Sequence, residues 1–189
     1  MSLSTQVSSN LSLEEFLKLS ETKPASEYID GRIYQKPMPQ GKHSTIQIRL
    51  ATAINQIAIN QKIAYAFPEL RCTFAGRSLV PDIAVFEWQR IPLDVKGRVA
   101  NKFEIHPDWI IEILSPEQSP NRVIRKITFS IQNGTKLGWF LDPEDESVMV
   151  FQPNQLPEIK EGQDILPVLN VLKDWQLSVA DVFAWLSFT

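Results

Sequence analysis

A chain of 189 residues, 10% aromatic and 22% charged, is long enough to bury a core of its own, so most of it is expected to fold as a single domain. Its formal net charge of −3 excludes a wholly basic protein that coats nucleic acid, but not a nuclease, whose carboxylates need positive charge only where the phosphates lie. The one cysteine, Cys72, rules out an intrachain disulfide and a cysteine-built zinc site, the histidines His43 and His106 are too few and too far apart for a histidine cage, and the scattered glycines form no phosphate loop for ATP or NAD.

No apolar run approaches the length that spans a bilayer, and the first residues lack the charged-then-apolar order of an export signal, so no membrane association and a cytoplasmic location are expected. Met1 to Asn10 are polar and serine-rich and read as a mobile tail ahead of a domain spanning residues 11–189. Ser12-Leu13-Glu14-Glu15 is a capping box that predicts a short helix through Leu19. Glu27 to Tyr34 reads as a hairpin turning at Asp30-Gly31, broken by Pro37 to Gly41. From His43 to Asn60, Ile46, Leu50, Ala53, Ile54 and Ile57 recur at helical spacing, predicting one long amphipathic helix whose stripe packs on a sheet.

Ile63 to Phe67, Leu70 to Phe74 and Leu79 to Phe86 look extended, and Glu87 to Pro107 then loses periodicity, gathers charge and reads as a surface excursion. Trp109 to Leu114 resumes as a buried strand. Ser119-Pro120 starts a helix that Asn133-Gly134 stops, with Val123, Ile124, Ile127 and Ile131 as its apolar stripe. Leu137 to Leu141 and Val148 to Phe151 form a strand pair around an Asp142 to Glu146 turn, and Leu177 to Leu186 closes the chain as a capped helix. The order predicts a mixed α/β (α+β) core with the sheet between helices.

Two carboxylates stand where burial is expected. Alternation places Val80, Asp82, Ala84 and Phe86 on one face of their strand, and Ile110, Glu112 and Leu114 on one face of the other. Alone, Pro81-Asp82 would mark an edge or bulge, and Glu112 could belong to a buried salt bridge. Together, on neighbouring strands, they make a site for a hard cation such as Mg²⁺, to which the carbonyl of Ile113 could add a ligand. If the pair converges without metal, mutual repulsion predicts that Asp82→Asn leaves the metal-free protein at least as stable. Leu114 supplies no ammonium, so the cation is sought on the next helix, where Lys126 lies at the margin of the apolar stripe and Arg125 points outward.

Pro81-Asp82, Trp109-Ile110-Ile111-Glu112-Ile113-Leu114-Ser115-Pro116, Lys126, Gly134, Gly138-Trp139-Phe140-Leu141-Asp142-Pro143 and Glu27-Tyr28-Ile29-Asp30-Gly31, in that arrangement, resemble the Uma-type putative restriction endonuclease family, a PD-(D/E)XK nuclease group expanded in cyanobacteria. The resemblance runs from about Leu13 to Leu186. It implies a restriction-endonuclease-like core with a central mixed sheet flanked by helices, a metal-binding acid pair at Asp82 and Glu112, and a catalytic lysine displaced onto the helix at Lys126. It also implies Mg²⁺ as cofactor with Mn²⁺ able to substitute, and DNA as partner and substrate; because cutting both strands needs two sites related by a two-fold axis, a homodimer is expected. Glu27 matches a further acid that binds metal or orders the site, and His43 a frequent family histidine; a turn or helix-start role stays open for both. Many relatives carry an acid one helical turn before the lysine and an aromatic one turn after it, where this chain has Arg122 and Ser130. Arg122 reads either as a phosphate contact or as a sign of a drifted site. A catalytically silent DNA-binding or assembly module, or a phosphodiesterase acting on RNA, are the competing readings.

Overall fold

The computed structural model describes residues 11–189, so the expected tail at residues 1–10 lies outside the described residues. Helix α1 (Leu13–Phe16) begins with the expected capping box, Ser12 and Glu15 satisfying each other's backbone amides. It ends short of Leu19 because Leu17 and Leu19 stay exposed and find no core that would extend the packed face. Strands β1 (Ser26–Ile29) and β2 (Arg32–Gln35) form the predicted hairpin. Asp30 and Gly31 take φ of 50° and 80°, the two left-handed residues that a tight two-residue turn requires.

Helix α2 (Gly41–Gln61) is the long helix read from its stripe. After it come β3 (Ala64–Pro68), β4 (Cys72–Phe74), β5 (Arg77–Leu79), β6 (Ile83–Glu87) and β7 (Trp109–Ile113). Helix α3 (Pro120–Gln132), β8 (Leu137–Asp142), β9 (Ser147–Phe151), β10 (Glu158–Glu161) and helix α4 (Val179–Ala184) complete the chain. A six-stranded sheet runs in the order β10-β9-β8-β7-β6-β3, and a four-stranded sheet in the order β2-β1-β5-β4. Only β7 and β8 pair in parallel, joined through α3; every other pair is antiparallel, which makes the larger sheet mixed.

One face of that sheet packs Ile111, Val85, Trp109 and Trp139 against Ile46, Leu50 and Ile54 of α2 and Val182 and Phe183 of α4. The other packs Ile110, Phe140 and Phe151 against Val123 and Ile127 of α3. The sheet therefore lies between helices, as the element order predicted. Helix α3 approaches so closely at Gly138 that a Cβ there would sit 2.4 Å from Ile127 Cγ2.

The expected strand from Leu79 to Phe86 is two strands in two sheets, linked by Val80-Pro81-Asp82. Pro81 brings no N–H to a ladder, and the polar backbone groups beside it are used elsewhere. Val80 N donates to Glu27 Oε1, and Asp82 O accepts from Gln47 Nε2 and Glu69 N. The excursion after β6 is irregular apart from a 3-10 turn at Trp88–Arg90, but it is not all surface. Phe103 returns to the core beside Phe67, Phe86 and Cys72. Strand β10 was not legible, because its Glu158-Ile159-Lys160-Glu161 sequence faces solvent at a sheet edge. No described helix is long and apolar enough to cross a membrane.

Candidate active site

The ladder between β6 and β7 pairs Ala84 with Ile110 and Ile83 with Ile111; one further step sets Asp82 opposite Glu112. Both side chains are almost fully buried. Asp82 is well supplied with donors: Oδ1 accepts from Lys36 Nζ at 2.7 Å, and Oδ2 accepts from Ile113 N at 2.7 Å and lies 3.1 Å from His43 Nε2. Burial works against its charge, but the Lys36 ammonium and His43 outweigh it and hold the carboxyl well below the usual carboxylate range.

Glu112 is in the opposite condition. Its Oε1 lies 2.8 Å from Lys126 Nζ but outside hydrogen-bond geometry, so the contact is one of charge and the oxygen accepts no hydrogen bond. Burial pushes this carboxyl up to about 8 against the pull of Lys126, and the nearby charges of Asp82 and Glu27 add to the push. The two neighbouring carboxylates thus differ sharply. One is fully hydrogen-bonded, and the other meets an ammonium that it shares with Glu27 and accepts no hydrogen bond at Oε1.

Lys126 is buried at the edge of the α3 stripe, as its helical phase predicted, and Arg125 is exposed. Its ammonium lies 2.5 Å from Glu27 Oε1 and donates to Val80 O at 3.1 Å. Burial opposes its charge, but Glu112 and Glu27 raise its pKa above the ordinary lysine value. Glu27 is buried too and spans Lys126 and Val80 N with one oxygen, the geometry of a residue that orders the site. Ile113 is present through its amide on Asp82, and Leu114 packs among the apolar residues beneath α3. Ser130 is buried and donates to Lys126 O at 3.0 Å. Arg122 is not brought into the cluster; its guanidinium lies 4.8 Å from the centre of the Tyr34 ring.

The structure adds three residues that sequence reasoning missed: Lys36, Gln47 and Glu69. Gln47 Nε2 donates to Asp82 O at 2.8 Å and to Glu69 Oε1 at 3.1 Å, while Lys36 Nζ donates to Glu69 Oε1 at 2.9 Å. Gln47 had a signal, since it stands one helical turn after His43 on the same helix face. Lys36 and Glu69 had none: Lys36 reaches the site from the residue after β2, and Glu69 from the turn after β3. A cleft of ≈ 380 Å³ opens onto this side, lined by Lys36, Met38, His43, Glu69 and Asp82 among others.

Among the described residues no three acid, histidine or cysteine side chains converge as a ready metal cage. The acids are instead arranged around two ammonium groups. The donor chemistry still fits a hard cation: Asp82, one residue before β6, and Glu112 of β7 offer carboxylate oxygens, and Glu112 Oε1 is a buried acceptor that accepts no hydrogen bond.

A pH dependence follows from Glu112. Its folded carboxyl holds the proton more tightly than the ordinary value of 4.5, so it favours the fold below that value and loses this contribution as pH rises through about 8. Metal-free protein is expected to lose thermal stability from about pH 5 to about pH 9, and Glu112→Gln to flatten that decline. Parallel pH profiles of melting temperature for parent and variant would assign the decline to another group.

The comparisons with known proteins bear on the family and the fold. The chain is 50% identical to, and superposes with a TM-score of 0.92 on, the crystal structure of a putative nuclease belonging to DUF820 from Anabaena variabilis ATCC 29413, covering 94% of this chain and 99% of that one. The model of the Uma2 family, described as putative restriction endonuclease, matches residues 13–180, and the chain belongs to that family. No curated protein matches it. Family and structural neighbour together support a nuclease role, a hydrolase acting on nucleic acid.

Proposed function

We propose that the chain is a metal-dependent endonuclease that hydrolyses DNA phosphodiester bonds in the cytoplasm. The observation that carries this reading is the buried pair of Asp82, one residue before β6, and Glu112 of the adjacent β7, the first hydrogen-bonded and the second with an oxygen that accepts no hydrogen bond. Asp82, Glu112 and the Ile113 carbonyl would hold Mg²⁺, or Mn²⁺ in its place; when bound, that ion polarises the phosphoryl group and lowers the pKa of a water. The chain's own residues do the positioning. His43 and the Ile113 amide fix the orientation of Asp82, and Glu27 anchors Lys126 against Glu112. Lys126 then orients the attacking water or stabilises the charge that develops on the phosphoryl oxygens. Arg122, exposed and outside the cluster, suits a neighbouring phosphate.

The well-paired Asp82 is also what a catalytically silent DNA-binding or assembly module on this fold would retain. Purified protein incubated with Mn²⁺ and either DNA or RNA of matched sequence separates the readings. Internal cleavage of DNA, abolished by EDTA, is expected; cleavage of RNA alone would reassign the substrate, and binding without cleavage would favour the silent module. Cutting both strands calls for two sites related by a two-fold axis, so we further propose a homodimer. Light scattering showing only monomer at tens of micromolar would contradict it.

A further inference from the structure

Lys36 has no part in the chemistry proposed above, yet it makes the most complete set of contacts at the site. It follows β2, where its amide donates to Ala25 O at 2.9 Å, and its stem carries the ammonium inward until the side chain is only 8% exposed. Three oxygens receive its three protons: Asp82 Oδ1 at 2.7 Å, Glu69 Oε1 at 2.9 Å and Val80 O at 2.9 Å. Two carboxylates and a carbonyl are the oxygen set that a hard cation takes, and one of those oxygens belongs to the residue proposed as metal ligand.

The two lysines of the site differ in what surrounds them. Lys126 is enclosed beneath α3 between Glu27 and Glu112. Lys36 instead lines the ≈ 380 Å³ cleft, and its flexible stem gives the ammonium a way out. An ammonium and a divalent ion cannot share one carboxylate oxygen without strong repulsion in a buried site.

We propose that Lys36 is the resident counter-ion of the acid pair, holding Asp82 in the metal-free protein and yielding Asp82 Oδ1 to the divalent cation, so that metal affinity is set by competition with an internal ammonium. This rests on the metal reading above. It gives the displaced ammonium a destination as well, because a phosphate oxygen entering the cleft would take the place of the carboxylate it has left. Metal uptake is thereby coupled to substrate, and the free protein takes up metal weakly.

The test is the equilibrium affinity for Mn²⁺, measured by titration calorimetry without nucleic acid on the parent, Lys36→Met and Lys36→Gln. Removing the competing charge is expected to tighten Mn²⁺ binding about tenfold or more, the scale on which one nearby charge shifts a buried equilibrium. Lys36→Gln keeps hydrogen-bond donors for Asp82 and Glu69, so it carries the test if Lys36→Met folds poorly. Adding Asp82→Asn to either variant should erase the gain. Tighter binding by the variants, or binding by the variants alone, supports the counter-ion role. Unchanged or weaker binding by folded variants of a parent that binds Mn²⁺ overturns that role and leaves the metal site standing. No uptake by the parent or by either variant overturns both.

Discussion

Lys126→Met is expected to lower cleavage at saturating metal and DNA by about two or more orders of magnitude, the scale typical of a lost acid-base or electrostatic contribution. The structure adds a second effect. Glu27 and Glu112 would be left buried without the ammonium that lies between them, and removing one partner of such a group costs about 3 kcal/mol or more. Protonation of Glu112, already favoured by burial, should offset part of that cost. Cleavage must therefore be compared at a temperature where the variant is folded, as circular dichroism can establish. Arg125→Met is the comparison on the exposed face of the same helix and should change neither quantity appreciably. If Lys126 only attracts phosphate, DNA affinity should fall and its salt dependence flatten by about one charge while turnover at saturation stays near normal. Equal, small effects from both substitutions would show that Lys126 is not the catalytic cation.

Asp82→Asn should reduce cleavage to background and remove the rise in melting temperature that Mn²⁺ gives the parent, since the carboxylate proposed to hold the metal at the entry to β6 is gone. Contrary to the expectation from repulsion between two bare acids, the variant should also be less stable without metal. Asp82 is the anion on which Lys36 and His43 converge, and an amide in its place leaves those groups with less charge to meet. Stability at least equal to the parent is expected of Glu112→Gln instead, because Glu112 is the carboxyl that burial disfavours. Thermal melts of the two variants, with and without Mn²⁺, separate these roles. A stabilised Asp82→Asn would show that the Lys36 contact contributes nothing to the folded protein.

The acid pair could be read from the sequence because a charge inside an apolar run is conspicuous, and the register of β6 against β7 brings Asp82, one residue before β6, opposite Glu112. Lys126 could be placed because helical phase is local: the spacing of Val123, Ile124 and Ile127 determines where residue 126 points. What could not be read was long-range. Lys36 meets Asp82 across 46 residues, and Gln47 meets the Asp82 carbonyl across 35, through packing that no local pattern encodes. The break at Pro81 was hidden for a related reason. Apolar alternation continues from Leu79 to Phe86 straight through the point where the chain leaves one sheet and enters the other. The interruption serves the site, since it frees the Val80 and Asp82 backbone groups to bind Glu27, Lys36, Lys126 and Gln47.

If Asp82 and Glu112 hold the metal with which this chain cuts DNA, cleavage requires the Asp82 carboxylate. Supercoiled plasmid incubated with Mn²⁺ and the parent protein, beside Asp82→Asn protein shown to be folded, tests it most directly. Nicked and linear plasmid are expected from the parent and none above background from the variant. Equal cleavage by both proteins, or none by a folded and metal-saturated parent, would contradict it.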